Sequence, residues 1–250
     1  MIEGNKAMLV DESVCAGCHA CTVACKQLYE LPSGVHRTKI NKVSSGTYPA
    51  VTEVTDKRAC FHCTDAACVK ACPTGACQKD EDGLTIINSS LCITCNWCVN
   101  NCPFDAVEPD RTNGTIEKCT LCSGRIKQNK EPFCSDVCTT RAVKFGDRGE
   151  LLKIGQKRVA QLKEQGYANA YLYGEHELNG LKVLTVLKDD PVKYNLPRDP
   201  QIPFGLKVWK HIPFKTLLLA VGGGLLAFNA FHTRKVKNLQ AKYKKDKGGV

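Results

Sequence analysis

The chain has 250 residues, 43% of them hydrophobic and 24% charged, enough to bury a core and too apolar for a disordered segment. Its 17 cysteines are an odd number and far more than packing recruits, in a chain too long for a small disulfide-stapled scaffold. Much of the net charge of +10 sits in a solvated C-terminal tail, Arg234 to Lys247, which is no evidence for a nucleic-acid partner.

The chain opens with Met1-Ile2-Glu3-Gly4-Asn5-Lys6, which has no uninterrupted apolar run before the first cysteines, so no secretory signal is expected there. Cysteines then arrive in four groups of four before residue 140 and stop. Group one is Cys15, Cys18, Cys21 and Cys25, and group two is Cys60, Cys63, Cys68 and Cys72. Group three is Cys92, Cys95, Cys98 and Cys102, and group four is Cys119, Cys122, Cys134 and Cys138. Cys77 is left over, and beside Pro73-Thr74-Gly75-Ala76 it reads as a small packing side chain. Groups two and three both end in Cys-Pro, at Cys72-Pro73 and Cys102-Pro103, which marks an internal repeat. Between groups, Asp80-Glu81-Asp82-Gly83 and Pro109-Asp110-Arg111-Thr112-Asn113-Gly114 predict turns and short strands, with little long helix.

From about Glu150 the pattern turns helical, with Leu151, Ile154, Val159 and Leu162 on one face and Gly166 placed to stop the helix. A hairpin is expected next, its strands Tyr171-Leu172-Tyr173 and Leu181 to Leu187, with a tight turn at Asn179-Gly180. Pro191, Pro197, Pro200, Pro203 and Pro213 then predict an extended, irregular connector. Thr216 to Phe231 is uncharged, short for a membrane span but close to the lower limit of about 17 residues. Its Gly222-Gly223-Gly224 would be costly for a helix in water, whereas small residues let membrane helices approach closely; a buried core helix is the alternative. Arg234, Lys235, Lys237, Lys242, Lys244, Lys245 and Lys247 after this run outnumber Arg198, Lys207, Lys210 and Lys215 before it, so the tail is expected in the cytoplasm and the cysteine-rich part outside, in the periplasm.

Groups one and three have cysteine spacings of two, two and three, the run that wraps a four-iron, four-sulfide cubane. In that run the first three thiolates reach one cube and the fourth faces a neighbouring cluster, so groups work in pairs. Group two widens its middle gap to four and group four to eleven. Zinc is the structural rival, but zinc sites take cysteines two plus two and have no use for a third at the same spacing. His19 and His62 lie inside cysteine groups that already hold four thiols, so supporting or surface roles are expected for both. No Ser-His-Asp set, Walker loop or paired-carboxylate motif is evident, and no substrate chemistry is expected of the chain itself.

On these cysteine groups, together with Tyr171-Leu172-Tyr173-Gly174, Val186-Leu187, Leu196-Pro197-Arg198-Asp199-Pro200 and the single C-terminal span, the chain resembles the four-cluster electron-transfer subunits of membrane-bound molybdenum or tungsten pterin oxidoreductases. The likeness is greatest to the beta subunits of respiratory formate dehydrogenases. The resemblance implies four [4Fe-4S] clusters. Cys15, Cys18, Cys21 and Cys138 would hold cluster 1, and Cys119, Cys122, Cys134 and Cys25 cluster 2. Cys60, Cys63, Cys68 and Cys102 would hold cluster 3, and Cys92, Cys95, Cys98 and Cys72 cluster 4. It also implies an α+β fold of two ferredoxin-like modules with two clusters each, a helix–hairpin extension and one C-terminal transmembrane helix. The boundaries expected are 1–149 for the cluster domain, 150–190 for the extension, 191–212 for the connector, 213–233 for the anchor and 234–250 for the basic tail. The implied partners are a pterin-containing catalytic subunit, a membrane cytochrome b subunit and the lipid bilayer. A hydrogenase or sulfur-compound reductase could use the same wire, and a zinc-stabilised nucleic-acid-binding module is the reading from a different class.

Overall fold

The computed structural model describes residues 5–209. Its first strand, β1 (Lys6–Asp11), buries Ala7, Met8, Leu9 and Val10 almost completely. An apolar run without alternation is what a strand covered on both faces requires. After it come α1 (Ala20–Leu28) and the long hairpin β2 (Thr38–Ser45) and β3 (Thr52–Ala59), paired from Thr38↔Ala59 to Ser45↔Thr52. Short elements follow: α2 (Ala67–Ala71), β4 (Cys77–Lys79), β5 (Thr85–Ile87), α3 (Trp97–Asn100), β6 (Val107–Asp110), β7 (Thr115–Lys118), α4 (Ser123–Ile126) and α5 (Phe133–Asp136). The chain then runs through β8 (Val143–Asp147), α6 (Arg148–Glu164), β9 (Tyr171–Tyr173), β10 (Val183–Leu187) and α7 (Phe204–Trp209). The fold is α+β.

The two turn-rich stretches between cysteine groups form the expected short hairpins, β4–β5 and β6–β7. Each is pinned by an aspartate that bonds its own turn. Asp80 accepts the backbone N–H groups of Asp82 and Leu84, and Asp110 those of Thr112 and Asn113.

The main sheet has strand order β8-β1-β10-β9. β1 runs antiparallel to β8 and parallel to β10, in register Met8↔Val183 to Asp11↔Val186. The segment expected as a helix–hairpin extension thus supplies α6, β9 and β10 to a sheet centred on a strand from the other end of the chain. β9 and β10 are antiparallel as expected, with Tyr173 opposite Thr185. The Asn179-Gly180 turn is part of a wider loop, in which Leu178, Asn179 and Gly180 have φ of 48°, 63° and 98° in succession. Arg148 closes that loop by donating to the carbonyls of Leu181, Gly174 and Glu175. β10 starts at Val183 rather than Leu181; ahead of it the Leu181 N–H donates to Gly174, and those of Lys182 and Val183 to Phe61.

Helix α6 begins at Arg148, where the Asp147 carboxylate accepts the N–H groups of Gly149 and Glu150. It ends at Glu164, and two residues on Gly166, with φ of 95°, lets the Tyr167 N–H reach back to Leu162. Leu151 and Leu162 are buried as expected, but Ile154 is 43% exposed. At 100° per residue Leu151, Gly155 and Leu162 fall within about 40° of one another, whereas Ile154 lies about 100° from Gly155. Gly155 therefore lies on the buried face and Ile154 off it, and a Cβ at Gly155 would stand 2.7 Å from Cδ1 of Leu172.

Strand alternation divides the core in two. Ala7, Leu9, Leu172, Leu184 and Val186 pack under α6 against Leu151 and Leu162. Met8, Val10, Val183 and Leu187 face the other way, into a cluster with Phe61, Phe104, Leu84 and Leu121. One face of the sheet thus carries the helix and the other carries the cysteine loops. Phe61, Phe104 and Tyr173 meet at its centre, Phe61 and Phe104 tilted with ring centroids 4.5 Å apart and Tyr173 edge-on to both.

Residues up to Pro203 belong to one compact unit, and a second begins at Phe204. Within the first, part of the expected connector is packed: Pro191–Tyr194 is a 3-10 turn, and Tyr194, Leu196 and Ile202 are buried. Arg58, paired with Asp56 at 2.7 Å, donates to the carbonyls of Tyr194, Asn195 and Phe104 and so ties this turn to the group-three loop. The expected membrane segment, 213–233, and the basic tail, 234–250, lie outside the described residues. No helix among the described residues is long and apolar enough to cross a membrane.

Candidate metal centres

All four cysteine groups use one local device. The third cysteine is the second residue of a helix each time: Cys21 in α1, Cys68 in α2, Cys98 in α3 and Cys134 in α5. Two residues after the first cysteine stands a residue in the left-handed region: Gly17, His62, Thr94 and Leu121, with φ of 63°, 49°, 52° and 51°. Three of these carry a side chain, at a cost of roughly 1–2 kcal/mol each. That reversal turns an N–H back onto the first sulfur. His62 N–H donates to Cys60 Sγ at 3.4 Å and Leu121 N–H to Cys119 Sγ at 3.3 Å, and the Gly17 N–H favours the thiolate of Cys15 in the same way. Groups two and four, whose middle gaps are widened, keep this geometry.

The fourth cysteine of each group sits with a different group. Burial pushes the Cys25 thiol up to about 12, and the sulfurs of Cys119, Cys122 and Cys134 push the same way. Cys15 rises to about 11, mainly by burial, with Glu12, Cys21 and Cys138 adding to it. Cys21, raised above all by burial, also has Cys138 and Cys18 as neighbours. Cys102 is pushed up to about 12 by burial, with Cys60 and Cys68 beside it, and Cys63 rises through burial and then Cys60, Cys68 and Cys102. Cys98 goes up to about 11 through burial and its neighbours Cys68 and Cys72. Cys72, Cys92, Cys95 and Cys98 line a single hollow, walled by Ile87, Ile93 and Ile116. The members of each crossed set that the resemblance implies thus lie together. Cys119, raised first by burial and next by Cys60, is where the second set meets the third.

Sulfurs gathered this way repel one another as thiolates, and a positive metal core reverses the sign of that interaction. Among the described residues no three His, Cys, Asp or Glu side chains converge as a single metal ion would require. A tetrahedral zinc about 2.3 Å from each sulfur would bring its ligands to within about 3.8 Å of one another. The N–H groups turned toward the sulfurs of Cys60, Cys119 and Cys72 suit the thiolates of a cluster. Only Cys18 in the first set and Cys95 in the fourth are exposed among these sixteen thiols.

His19 is exposed and caps α1 in the left-handed region, a surface role. His62 is fully buried. Burial, with Lys118, Lys79 and Lys182 nearby, holds its pKa well below the usual value, so the imidazole is neutral. Its Nδ1 accepts the Thr85 N–H at 3.1 Å, which places the proton on Nε2, a buried atom with no protein partner. That N–H is a buried donor whose bond is unmade. Cys77 packs with Ala66, Val107 and Ile116 as expected of a small apolar side chain. It also bridges two sets: its N–H donates to Cys72 Sγ at 3.3 Å, and its thiol draws Cys68 down to about 7. Glu12, Lys57 and Lys118 are buried beside the sets and carry no sequence signal. In Asp56-Lys57-Arg58 three charges in a row read as a solvated edge.

Residues 51–148, which contain groups two to four, match the family model of the 4Fe-4S dicluster domain. The formate dehydrogenase iron-sulfur subunit of Haemophilus influenzae is 35% identical over 88% of this chain and 78% of its own length. The nitrate-inducible formate dehydrogenase iron-sulfur subunit of Escherichia coli is 34% identical over 82% of this chain and 76% of its own. The thiosulfate reductase electron transfer subunit PhsB of Salmonella typhi is 38% identical over 69% of this chain and 93% of its own.

Proposed function

From the premise that the chain belongs to the iron–sulfur electron-transfer subunits of formate dehydrogenases and related oxidoreductase complexes, we propose that it is a four-cluster relay between a pterin-containing catalytic subunit acting on formate and a membrane cytochrome b. The observation that carries this reading is the crossed convergence of the sixteen cysteines. Cys15, Cys18, Cys21 and Cys138 hold the first cluster, and Cys25, Cys119, Cys122 and Cys134 the second. Cys60, Cys63, Cys68 and Cys102 hold the third, and Cys72, Cys92, Cys95 and Cys98 the fourth. This is the arrangement of two ferredoxin-like modules.

Each cluster, when bound, supplies a one-electron redox centre whose potential responds to hydrogen bonds, burial and net charge. The chain supplies those three influences. N–H groups of His62, Leu121 and Cys77 face ligand sulfurs. Phe61, Phe104, Leu84 and Leu121 keep water from the inner sets. Exposure of Cys18 and Cys95 leaves the first and fourth sets as the open ends of the series, available to partners. The uncharged run within 213–233 is the anchor in this reading, with the basic tail cytoplasmic and the clusters periplasmic.

Iron and acid-labile sulfide analysis of the anaerobically purified chain tests the reading. Sixteen of each per chain are expected; eight would mean that only two sets assemble, and zinc without sulfide would end the cluster assignment. The similarity to a thiosulfate reductase subunit supports a second reading, in which the same wire serves a sulfur-compound reductase. Reduction of a dye by the isolated complex with formate, and oxidation of a reduced dye with thiosulfate, separates the two.

A further inference from the structure

Two lysines are buried against the cysteine sets. Lys57 on β3 is 6% exposed and Lys118, the last residue of β7, is 2% exposed. Among the described residues neither ammonium forms an ion pair with a carboxylate. Lys118 Nζ donates to two main-chain carbonyls, those of Thr85 and Cys119. Such bonds satisfy the protons of the group and leave its charge uncompensated. Glu12, the carboxyl beside Lys57, accepts the backbone N–H of Lys57, and burial pushes its pKa to about 8, so at neutral pH it is mostly uncharged.

A buried charge without a counter-charge is among the costliest things a fold can hold. The groups that favour the charge on these lysines are chiefly cysteine sulfurs, negative once they are cluster ligands, with Glu12 a lesser one for Lys57. Burial opposes the Lys57 charge, yet Cys134, Cys21 and Cys119 favour it strongly enough to raise its pKa above the ordinary value. Those residues belong to the first and second sets. Lys118 favours the thiolates of Cys68 and Cys119 and is also a neighbour of Cys77. Its reach is chiefly over the third set, and over the second where the two sets meet.

We propose that Lys57 and Lys118 are potential-setting cations, whose counter-charge is the iron–sulfur clusters themselves and which raise the reduction potential of the clusters beside them. The inference rests on the reading of the sixteen cysteines as cluster ligands. When a cluster gains one electron its charge becomes one unit more negative, with no bond formed or broken and no proton moved. A fixed neighbouring cation stabilises that more negative form. Lys57 therefore acts on the first pair of clusters and Lys118 on the third, with a smaller effect on the second. The two lysines divide the relay into segments that can be tuned separately.

The test is a redox titration of the full chain, loaded anaerobically and followed by electron paramagnetic resonance, after iron and sulfide have been counted. A wild-type count of sixteen keeps the underlying reading intact, whatever the lysines do, and a count of eight sinks that reading instead. In Lys57→Met the first pair is expected to titrate at more negative potential, by at least a tenfold change in the reduced-to-oxidised ratio at fixed applied potential, about 59 mV. The third and fourth clusters should stay where they were. Lys118→Met should move the third cluster and leave the first alone, and Lys57→Arg and Lys118→Arg should restore wild-type values. Fully loaded methionine variants with unchanged potentials would overturn the proposal, as would equal shifts of all clusters from either site. If a methionine variant fails to load, the glutamine variant, which keeps N–H donors without charge, is titrated under the same criteria. Loading by arginine but by neither neutral residue supports a required charge; failure of arginine as well overturns it, because shape is then what the position demands.

Discussion

Glu12 accepts the backbone N–H of Lys57 at 2.8 Å, tying the end of β1 to β3, while its second oxygen, Oε2, is buried with no partner. Burial, helped by Asp56 and Asp11 and opposed by the Lys57 N–H, pushes this carboxyl from its ordinary 4.5 up to about 8. The folded protein thus keeps a proton that the unfolded chain gives up near 4.5. The stability linked to that proton is complete below about pH 4.5 and is lost as pH rises toward 8. Glu12→Gln should flatten the pH dependence across this window, by an amount on the order of a few kcal/mol at its upper end. Thermal unfolding of the iron-loaded chain at pH 5 and pH 8 measures it, and an unchanged slope in the variant would remove Glu12 as the source.

Cys25→Ser should damage the cluster held by group four, since the Cys25 thiol lies with Cys119, Cys122 and Cys134. Spectroscopy that assigned the loss to the cluster of Cys15, Cys18 and Cys21 would refute the crossed assignment.

Cys77→Ala should leave sixteen irons per chain, because Cys77 touches the ligand sulfurs without replacing any of them. Loss of its packing among Ala66, Val107 and Ile116 should lower stability by about 1 kcal/mol. A drop of four irons would make Cys77 a ligand.

Gly155→Ala puts a better helix former into α6 and should still destabilise. The new Cβ would meet Leu172 at 2.7 Å, in a packed layer where Leu172 is 6% exposed and has little room to turn. Overpacking of this kind costs typically 1–3 kcal/mol against a helix-propensity gain of about 1 kcal/mol. Denaturant unfolding decides the sign; a more stable variant would show that Leu172 yields freely.

A chain truncated before Ile212 should be released from membranes when expressed without partners. Fractionation of the truncated and full-length chains checks this, and a truncated chain that remains in the membrane fraction would move the anchor elsewhere.

The cysteine groups were legible in the sequence because their chemistry is local, each C-x-x-C loop spanning a few residues; the helices that start one residue before each third cysteine were not. The turns at Asp80 and Asp110 were legible for the same reason, as aspartates that bond their own backbone. What escaped was long-range. Nothing in Ala7 to Val10 announces a parallel partner at Val183 to Val186, so the extension could not be seen as the other half of the central sheet. Ile154 was assigned to the buried face of α6 because its spacing from Leu151 suits a helix, and only the close approach of Leu172 to Gly155 shows how far that face is turned. Lys57 and Lys118 were invisible as functional candidates, because a charged residue in a strand reads as solvent-facing until burial is known.

The parallel pairing of β1 with β10 also bears on biosynthesis. A chain leaving the ribosome has presented all four cysteine groups by Cys138, yet the strand that completes the central sheet arrives only at Val183 to Leu187. Until then β1 has β8 on one edge and bare amides on the other, and the cysteine loops rest on a half-covered floor. In order of synthesis the sheet is a clasp that shuts late, its last central strand lying some 45 residues beyond the final cysteine of the four groups.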